Sequence, residues 1–188
     1  MEENLEGIQR PVYRNLRIIW KMMLIGLVLS FFDNMLVTVI SIVLNIVQIV
    51  QIRALADASD RMARAYRMLI IGLALTVGCS LLALLALGST LSMIFVLPAM
   101  AGAIVLLVSD YYFYFGLDDL AALRGYAYPR GRIKRCFWIT LIGGVVVGTA
   151  EQNGAAWFAK ACNIVIVVVT LVLLWEYLEA VKQAEQNA

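Results

Sequence analysis

The stretch from Asp110 to Gly125, "DYYFYFGLDDLAALRG", sets three carboxylates, Asp110, Asp118 and Asp119, beside a run of aromatic residues. Three carboxylates next to a lipid surface have the chemistry to hold a divalent metal for work on phospholipid headgroups. The plainer reading places Asp118 and Asp119 as solvated residues near a helix end that closes at Arg124 and Gly125. Nothing else supports catalysis. There is no Gly-rich phosphate loop, no HExxH, and no Ser, Lys or Asp in a nucleophilic setting. His is absent, which removes the commonest metal ligand and proton shuttle. Cys79, Cys136 and Cys162 fit none of the paired metal or redox spacings and read as small packing residues. The expectation is a non-enzymatic protein with no metal and no cofactor.

A second pattern offers a different chemistry. "NMLVTVISIVLNIVQIVQI" carries no charge, yet Asn34, Thr38, Ser41, Asn45 and Gln48 recur at steps of four and three. That is one face of a helix. An unpaired carboxamide in hydrocarbon costs several kcal/mol, so this face is expected to turn towards protein. A paired one contributes only about 0.6 to 2 kcal/mol. On this reading Asn45→Leu lowers stability by stranding a partner. The seam either glues a bundle core or lines a polar path. In the second case Asn45, Gln48 and Asn163 converge near mid-membrane.

The rest of the chain must hold such a helix in a bilayer. Of 188 residues, 63% are hydrophobic and 15% are charged, and the mean hydropathy is +0.87. From Met68 to Ser109 there is no Asp, Glu, Lys or Arg. As one helix that run would span roughly twice a ~30 Å hydrocarbon core, so it must cross and return. The net charge of +2 is too small to imply nucleic acid. The opening residues "MEENLEGIQRPVYRN" are acidic and polar, and no secretory leader is expected.

Basic residues punctuate the chain. Arg10, Arg14, Arg17 and Lys21 form one group, and Arg53, Arg61, Arg64 and Arg67 a second. Arg124, Arg130, Arg132, Lys134 and Arg135 form a third, with Lys182 in the tail. Only Lys160 stands apart. Return points are expected at Asp33-Asn34, at Gly88 to Thr90, and at Glu151 to Gly154, where turn-forming residues interrupt the apolar blocks. The reading is an all-α polytopic bundle of six transmembrane helices, about 15–32, 34–55, 60–87, 91–115, 132–150 and 155–180. They are arranged as three consecutive hairpins, 15–55, 60–115 and 132–180. The single transmembrane domain covers 15–180, between a tail at 1–14 and a tail at 181–188. The basic groups then share one side, which the positive-inside rule makes cytoplasmic, with both termini inside. The expected location is a cytoplasmic (inner) membrane. Trp20, Tyr66, Trp138, Trp175 and Tyr177 are expected in the aromatic belt on that side and Trp157 in the other. Asp33, Asp110, Glu151, Lys160 and Glu176 are expected near helix ends, where water reaches them.

Each odd helix opens alike: "RNLRIIWKMMLIGL", "RMARAYRMLIIGL" and "RIKRCFWITLIGG", with Gly26, Gly72 and Gly143 in corresponding places. Hairpin duplication and convergence on a common way of entering a membrane both account for this. The third helix carries a small-residue stripe, Gly72, Thr76, Cys79, Ala83 and Ala86. The fifth carries a GxxxG pair, Gly144 and Gly148. In the sixth, Asn163, Thr170 and Tyr177 share a face. Pro98 removes a backbone donor from the fourth helix and predicts a kink.

The "NLRIIWKMMLIGLVLS" start, the "IRALADASDRMARAYRMLIIGLAL" connection and the "YYFYFGLDDLAALRG" segment together resemble a loose group of small six-helix membrane proteins of Firmicutes-type bacteria. The resemblance implies a topology. It carries over no assigned activity and no catalytic residues.

Two functions remain open. The first is an accessory or regulatory subunit acting through helix–helix association, with the bilayer and a membrane-protein partner or second copy around it. The alternative is permeation of a small solute or ion along the seam of the second helix. No charge sits clearly at mid-membrane in this reading, which counts against proton or sodium coupling.

Overall fold

The computed structural model describes residues 12–32, 35–85 and 91–186. Asn34, Ala86 and the first two return points lie outside these residues. The described chain is all-helical, with six helices and no strand among the described residues. They are α1 (Val12–Leu29), α2 (Met35–Ala56), α3 (Asp60–Leu85), α4 (Leu91–Leu123), α5 (Lys134–Gln152) and α6 (Ala156–Gln186).

Local sequence sets the helix ends. Ser59 caps α3, its hydroxyl accepting the Met62 N–H at 3.2 Å, and Asp60 adds a carboxylate to the first turn, where the helix dipole favours one. α4 and α5 both close on a left-handed glycine. Gly125 has φ +66° and Gly154 φ +76°. In each case the next N–H reaches back over the turn, Tyr126 to the Ala121 carbonyl and Ala155 to the Ala150 carbonyl, both at 2.9 Å. This is the Schellman pattern, and a Cβ would oppose the backbone it needs.

Three helices are long and apolar enough to cross a membrane: α3, α4 from Ile94, and α6. This is half of the six expected. α1 spends Arg14, Arg17 and Lys21 within its 18 residues, and α5 is short with charge at both ends, Lys134 and Arg135 against Glu151. In α2 the apolar stretch among the described residues is Ile42–Ala56.

Each helix contacts the next, and α6 returns to α1, so the six close a ring. The α3–α4 contact is the most extensive, while α2 meets α3 as extensively as it meets α1. Packing therefore does not single out three hairpins. Apart from Ala150 and Ala159, where α5 turns into α6, most buried residues lie towards the start of odd helices, as with Leu16, Met62 and Cys136, or towards the end of even ones, as with Leu55, Leu117 and Leu174. The helices thus alternate in direction, and the core gathers at the end that carries the basic residues.

That basic end is closely tied. Tyr177 is wholly buried and its hydroxyl donates to the Leu117 carbonyl at 2.7 Å. The rings of Tyr126 and Tyr128 meet it edge-on. Tyr177 is therefore core and not belt, because α6 continues to Gln186 and carries it inward. Burial pushes the Tyr128 hydroxyl up to about 12 and raises Tyr126 as well. The Trp20 indole N–H donates to the Leu171 carbonyl at 2.9 Å and its ring leans on Trp175.

Asp118 is buried and not solvated. It accepts the Gly131 N–H at 2.6 Å and pairs with Lys134 at 2.7 Å. Asp119 pairs with Arg61 at 3.0 Å, and Glu176 with Arg132 at 2.9 Å.

The apolar end differs. Ile42, Ile46, Leu81, Ile104, Val145 and Val165 are all exposed there. The exceptions are the α5–α6 contact, where Ala159 is buried, and the α3–α4 seam. A Cβ on Gly72 would stand 2.8 Å from Leu106 Cγ, and one on Gly102 would stand 2.7 Å from the Thr76 backbone nitrogen. The two helices approach closely because glycine leaves room. α4 runs through Pro98 as one helix.

Candidate functional site

Between α1, α2, α3 and α4 lies a cavity of about 710 Å³. Leu69, Leu73 and Val77 of α3 form one wall, and Ile42, Ile46 and Ile49 of α2 another. Ile19, Ile52, Phe113 and Tyr114 line it too and belong to the packed core. They floor the cavity towards the basic end. Into this apolar space come four polar side chains, Asn45 and Gln48 from α2 and Ser109 and Asp110 from α4.

The four are not equivalent. Ser109 is buried, and its hydroxyl donates to the Ala65 carbonyl of α3 at 2.8 Å. This bond fixes the register of α4 on α3. Asn45, Gln48 and Asp110 make no hydrogen bond or ion pair with any described residue. Asn45 is exposed to the cavity and Gln48 is half-buried. The stability loss expected for Asn45→Leu therefore has no partner to rest on.

Asp110 was expected near a helix end. α4 continues to Leu123 and not to about 115, which places Asp110 well inside the helix. The signal was present: "SDYYFYFGLDDLAALRG" has no helix stop before Gly125. Gly116 does not end α4. It faces Met62 and Arg61 of α3, where an added Cβ would sit 3.3 Å from the Met62 side chain. The three carboxylates of this stretch part company. Asp118 and Asp119 each take a cation at the basic end, and Asp110 faces the cavity. No group of three metal-ligating side chains occurs among the described residues.

The remaining sequence-derived sites are scattered. The side chains of Thr38 and Ser41 lie outside the described ones. Asn163 is exposed on α6 and does not line the cavity, so it is not brought to Asn45 and Gln48. Thr170 and Tyr177, on its face of α6, are buried. Gly72 and Thr76 form the seam with α4 described above, and Cys79 and Ala83 are half-buried further along. Gly144 and Gly148 have nothing within 4 Å of an added Cβ. Their neighbour Gly143 makes the contact in their place, against Ile166 of α6. Of the three corresponding glycines, Gly72 and Gly143 abut the following helix, and Gly26 abuts nothing.

Fold and site together define, among the described residues, an all-helical protein with three helices fit to cross a membrane and a largely apolar cavity with a few polar side chains among four of its helices. No family model, no curated protein and no solved structure matches the chain.

Proposed function

We propose that the chain is a non-enzymatic, six-pass protein of a bacterial cytoplasmic membrane that takes a small solute into the α1–α4 cavity as one state of a permeation cycle. In this reading three hairpins cross and return, and both termini are cytoplasmic. The observation that carries the functional part is the convergence of Asn45, Gln48 and Asp110, unpaired among the described residues, on one cavity. Unsatisfied polar groups at such depth are tolerated beside a cavity or a partner, and apolar cavities with a few convergent polar groups are where small molecules bind. The floor of core side chains must move for a solute to pass.

The six-pass topology rests on the alternation of helix direction and on the gathering of basic residues at one end. α1, α2 and α5 then cross with their charged ends at the surfaces. Single cysteines in a background lacking Cys79, Cys136 and Cys162 test it. Positions 34, 89 and 153 should react with a reagent added outside, and positions 60 and 130 should not. Outside labelling at 60 would overturn the topology. For function, proteoliposomes should accumulate solute above protein-free vesicles, and Gln48→Leu should lower that uptake. Uptake indifferent to Gln48→Leu counts against the cavity.

One observation favours the association reading. Gly144 and Gly148 present an open small-residue face on α5 that the fold does not fill, and such faces let a second helix approach. A second copy or another membrane protein would fit there. If so, Gly148→Leu shifts the particle mass in detergent and leaves the fold intact.

A further inference from the structure

We propose that the α1–α4 cavity selects a lipophilic organic cation, with the Asp110 carboxylate as counter-ion and the carboxamides of Asn45 and Gln48 as neutral polar partners. This rests on reading the cavity as a solute site and adds the charge class of the solute.

The argument is one of charge balance. Every element that lines the cavity can be checked for ionisable groups. α1 supplies Ile19 and Met23, and α3 supplies only apolar side chains. α2 supplies its two carboxamides, and α4 supplies Asp110 beside Ser109 and Tyr114. Among the described residues, no Lys or Arg lines the space. In the α3–α4 register Arg64 and Arg67 lie nearer to Asp110 than Arg61 does, and neither lines the cavity; Arg61 is engaged by Asp119, and Lys134 of α5 by Asp118. Asp110 itself has no ion pair or hydrogen bond with a described residue. When ionised, it leaves the cavity with one uncompensated negative charge against apolar walls, where Coulomb attraction is stronger than in water.

The walls decide what kind of cation fits. A bare metal ion wants several oxygen ligands, usually more than one of them anionic, and among the described residues the lining holds a single carboxylate beside neutral polar groups and mostly apolar walls. An organic cation with apolar substituents satisfies both parts, its charge at Asp110 and its hydrocarbon against α2 and α3. Phe113 and Tyr114 add ring faces that attract cations. The volume, about 710 Å³, falls in the range that holds a drug-sized molecule.

The test is equilibrium dialysis of the full-length protein in detergent against three probes of similar shape. These are tetraphenylphosphonium (cation), triphenylphosphine oxide (neutral) and tetraphenylborate (anion), each corrected for a protein-free detergent blank. The expected order is cation over neutral over anion, with the cation retained about tenfold better than the anion. This ordering needs no variant. Asp110→Asn should bring the cation down to the neutral probe, Asp110→Glu should retain the preference, and Gln48→Leu should weaken cation and neutral probe alike. If neutral and anionic probes bind as well as the cation and still respond to Gln48→Leu, the charge class is wrong and the solute site stands. If no probe exceeds the blank, the solute site falls with it.

Discussion

The two ends of this ring of helices are built on different principles. At the basic end, side chains from all six helices interlock around Tyr177, Leu117 and Met62, and polar groups there find partners across helices. At the apolar end the same helices leave most side chains exposed, and close contact is confined to α3 with α4 and α5 with α6. Water explains the first. Burying apolar surface from water drives association at about 25 cal/mol per Å², and the basic side chains mark where water lies. The second fits lipid, because hydrocarbon tails are as apolar as leucine and give helices little reason to pack. An apolar face of that size would be an aggregation site in water. The stability of the molecule should thus reside in its basic end and its solute chemistry in the loosely packed half.

The widest contrast is between two large aromatic residues of the same helix. Tyr177→Ala removes a wholly buried ring and the bond to the Leu117 carbonyl. It should cost about 3–5 kcal/mol. Trp157 is 78% exposed at the other end of α6, and Trp157→Ala should change stability by no more than about 0.5 kcal/mol. Unfolding of both variants in the same detergent measures the difference. Comparable losses would mean that the apolar end also carries the fold.

Helix number and approximate position were legible in the sequence, because basic clusters and uncharged runs of fixed length leave little choice. The glycine stop at Gly154 was legible for the same kind of reason, since "AEQNGA" holds a residue free to turn left-handed. The sequence puts the end of α4 in two places, at about 115 for the span and at Arg124-Gly125 for the helix end beside Asp118 and Asp119, and the helix runs to the second. Gly116 followed by Asp118 and Asp119 has the composition of a helix end, and only the presence of Met62 opposite shows that glycine serves a close approach there. That single misplacement hid Asp110 from the candidate site. The partner of Asp118 was equally illegible, because Lys134 lies beyond a loop whose path depends on Gly125 and Gly131, both at positive φ. The seam of α2 showed its period plainly, yet period alone could not show that Asn45 and Gln48 would meet a cavity and that Asn163 would not.

Next in size is the ion pair of the basic end. Lys134→Ala leaves the Asp118 carboxylate, 6% exposed, with the Gly131 N–H as its remaining partner. Stranding a buried charge is costly, and roughly 2–3 kcal/mol is expected here because Lys134 is itself partly exposed. Adding Asp118→Asn to the Lys134→Ala variant should recover part of the loss. A Lys134→Ala protein as stable as the parent would show that water already reaches Asp118.

A smaller effect separates two glycines within the apolar half. Gly102→Ala drives a Cβ against the Thr76 backbone nitrogen, which cannot rotate away. Overpacking of this kind costs about 1–3 kcal/mol, and the better helix propensity of alanine offsets up to about 1 kcal/mol of it. Gly144→Ala meets nothing within 4 Å and should stabilise by up to about 1 kcal/mol. Opposite signs in the same assay would show that the α3–α4 seam is tightly packed and that the Gly144 face of α5 is open. A loss at Gly144 would reveal a partner already seated on α5.

The smallest expected effect is the most informative about function. Asn45→Leu replaces a side chain that is exposed to the cavity and has no hydrogen bond with a described residue. No buried donor or acceptor is stranded, which is the event that makes such changes costly. Unfolding should therefore shift by less than about 0.5 kcal/mol, while retention of solute should fall because a polar partner is lost from the wall. Stability and binding then separate at one residue, as they should if the fold is held at the basic end and the cavity is free to serve a ligand. A marked loss of stability in Asn45→Leu would place a hydrogen-bond partner on Asn45 and turn the seam back into structural glue.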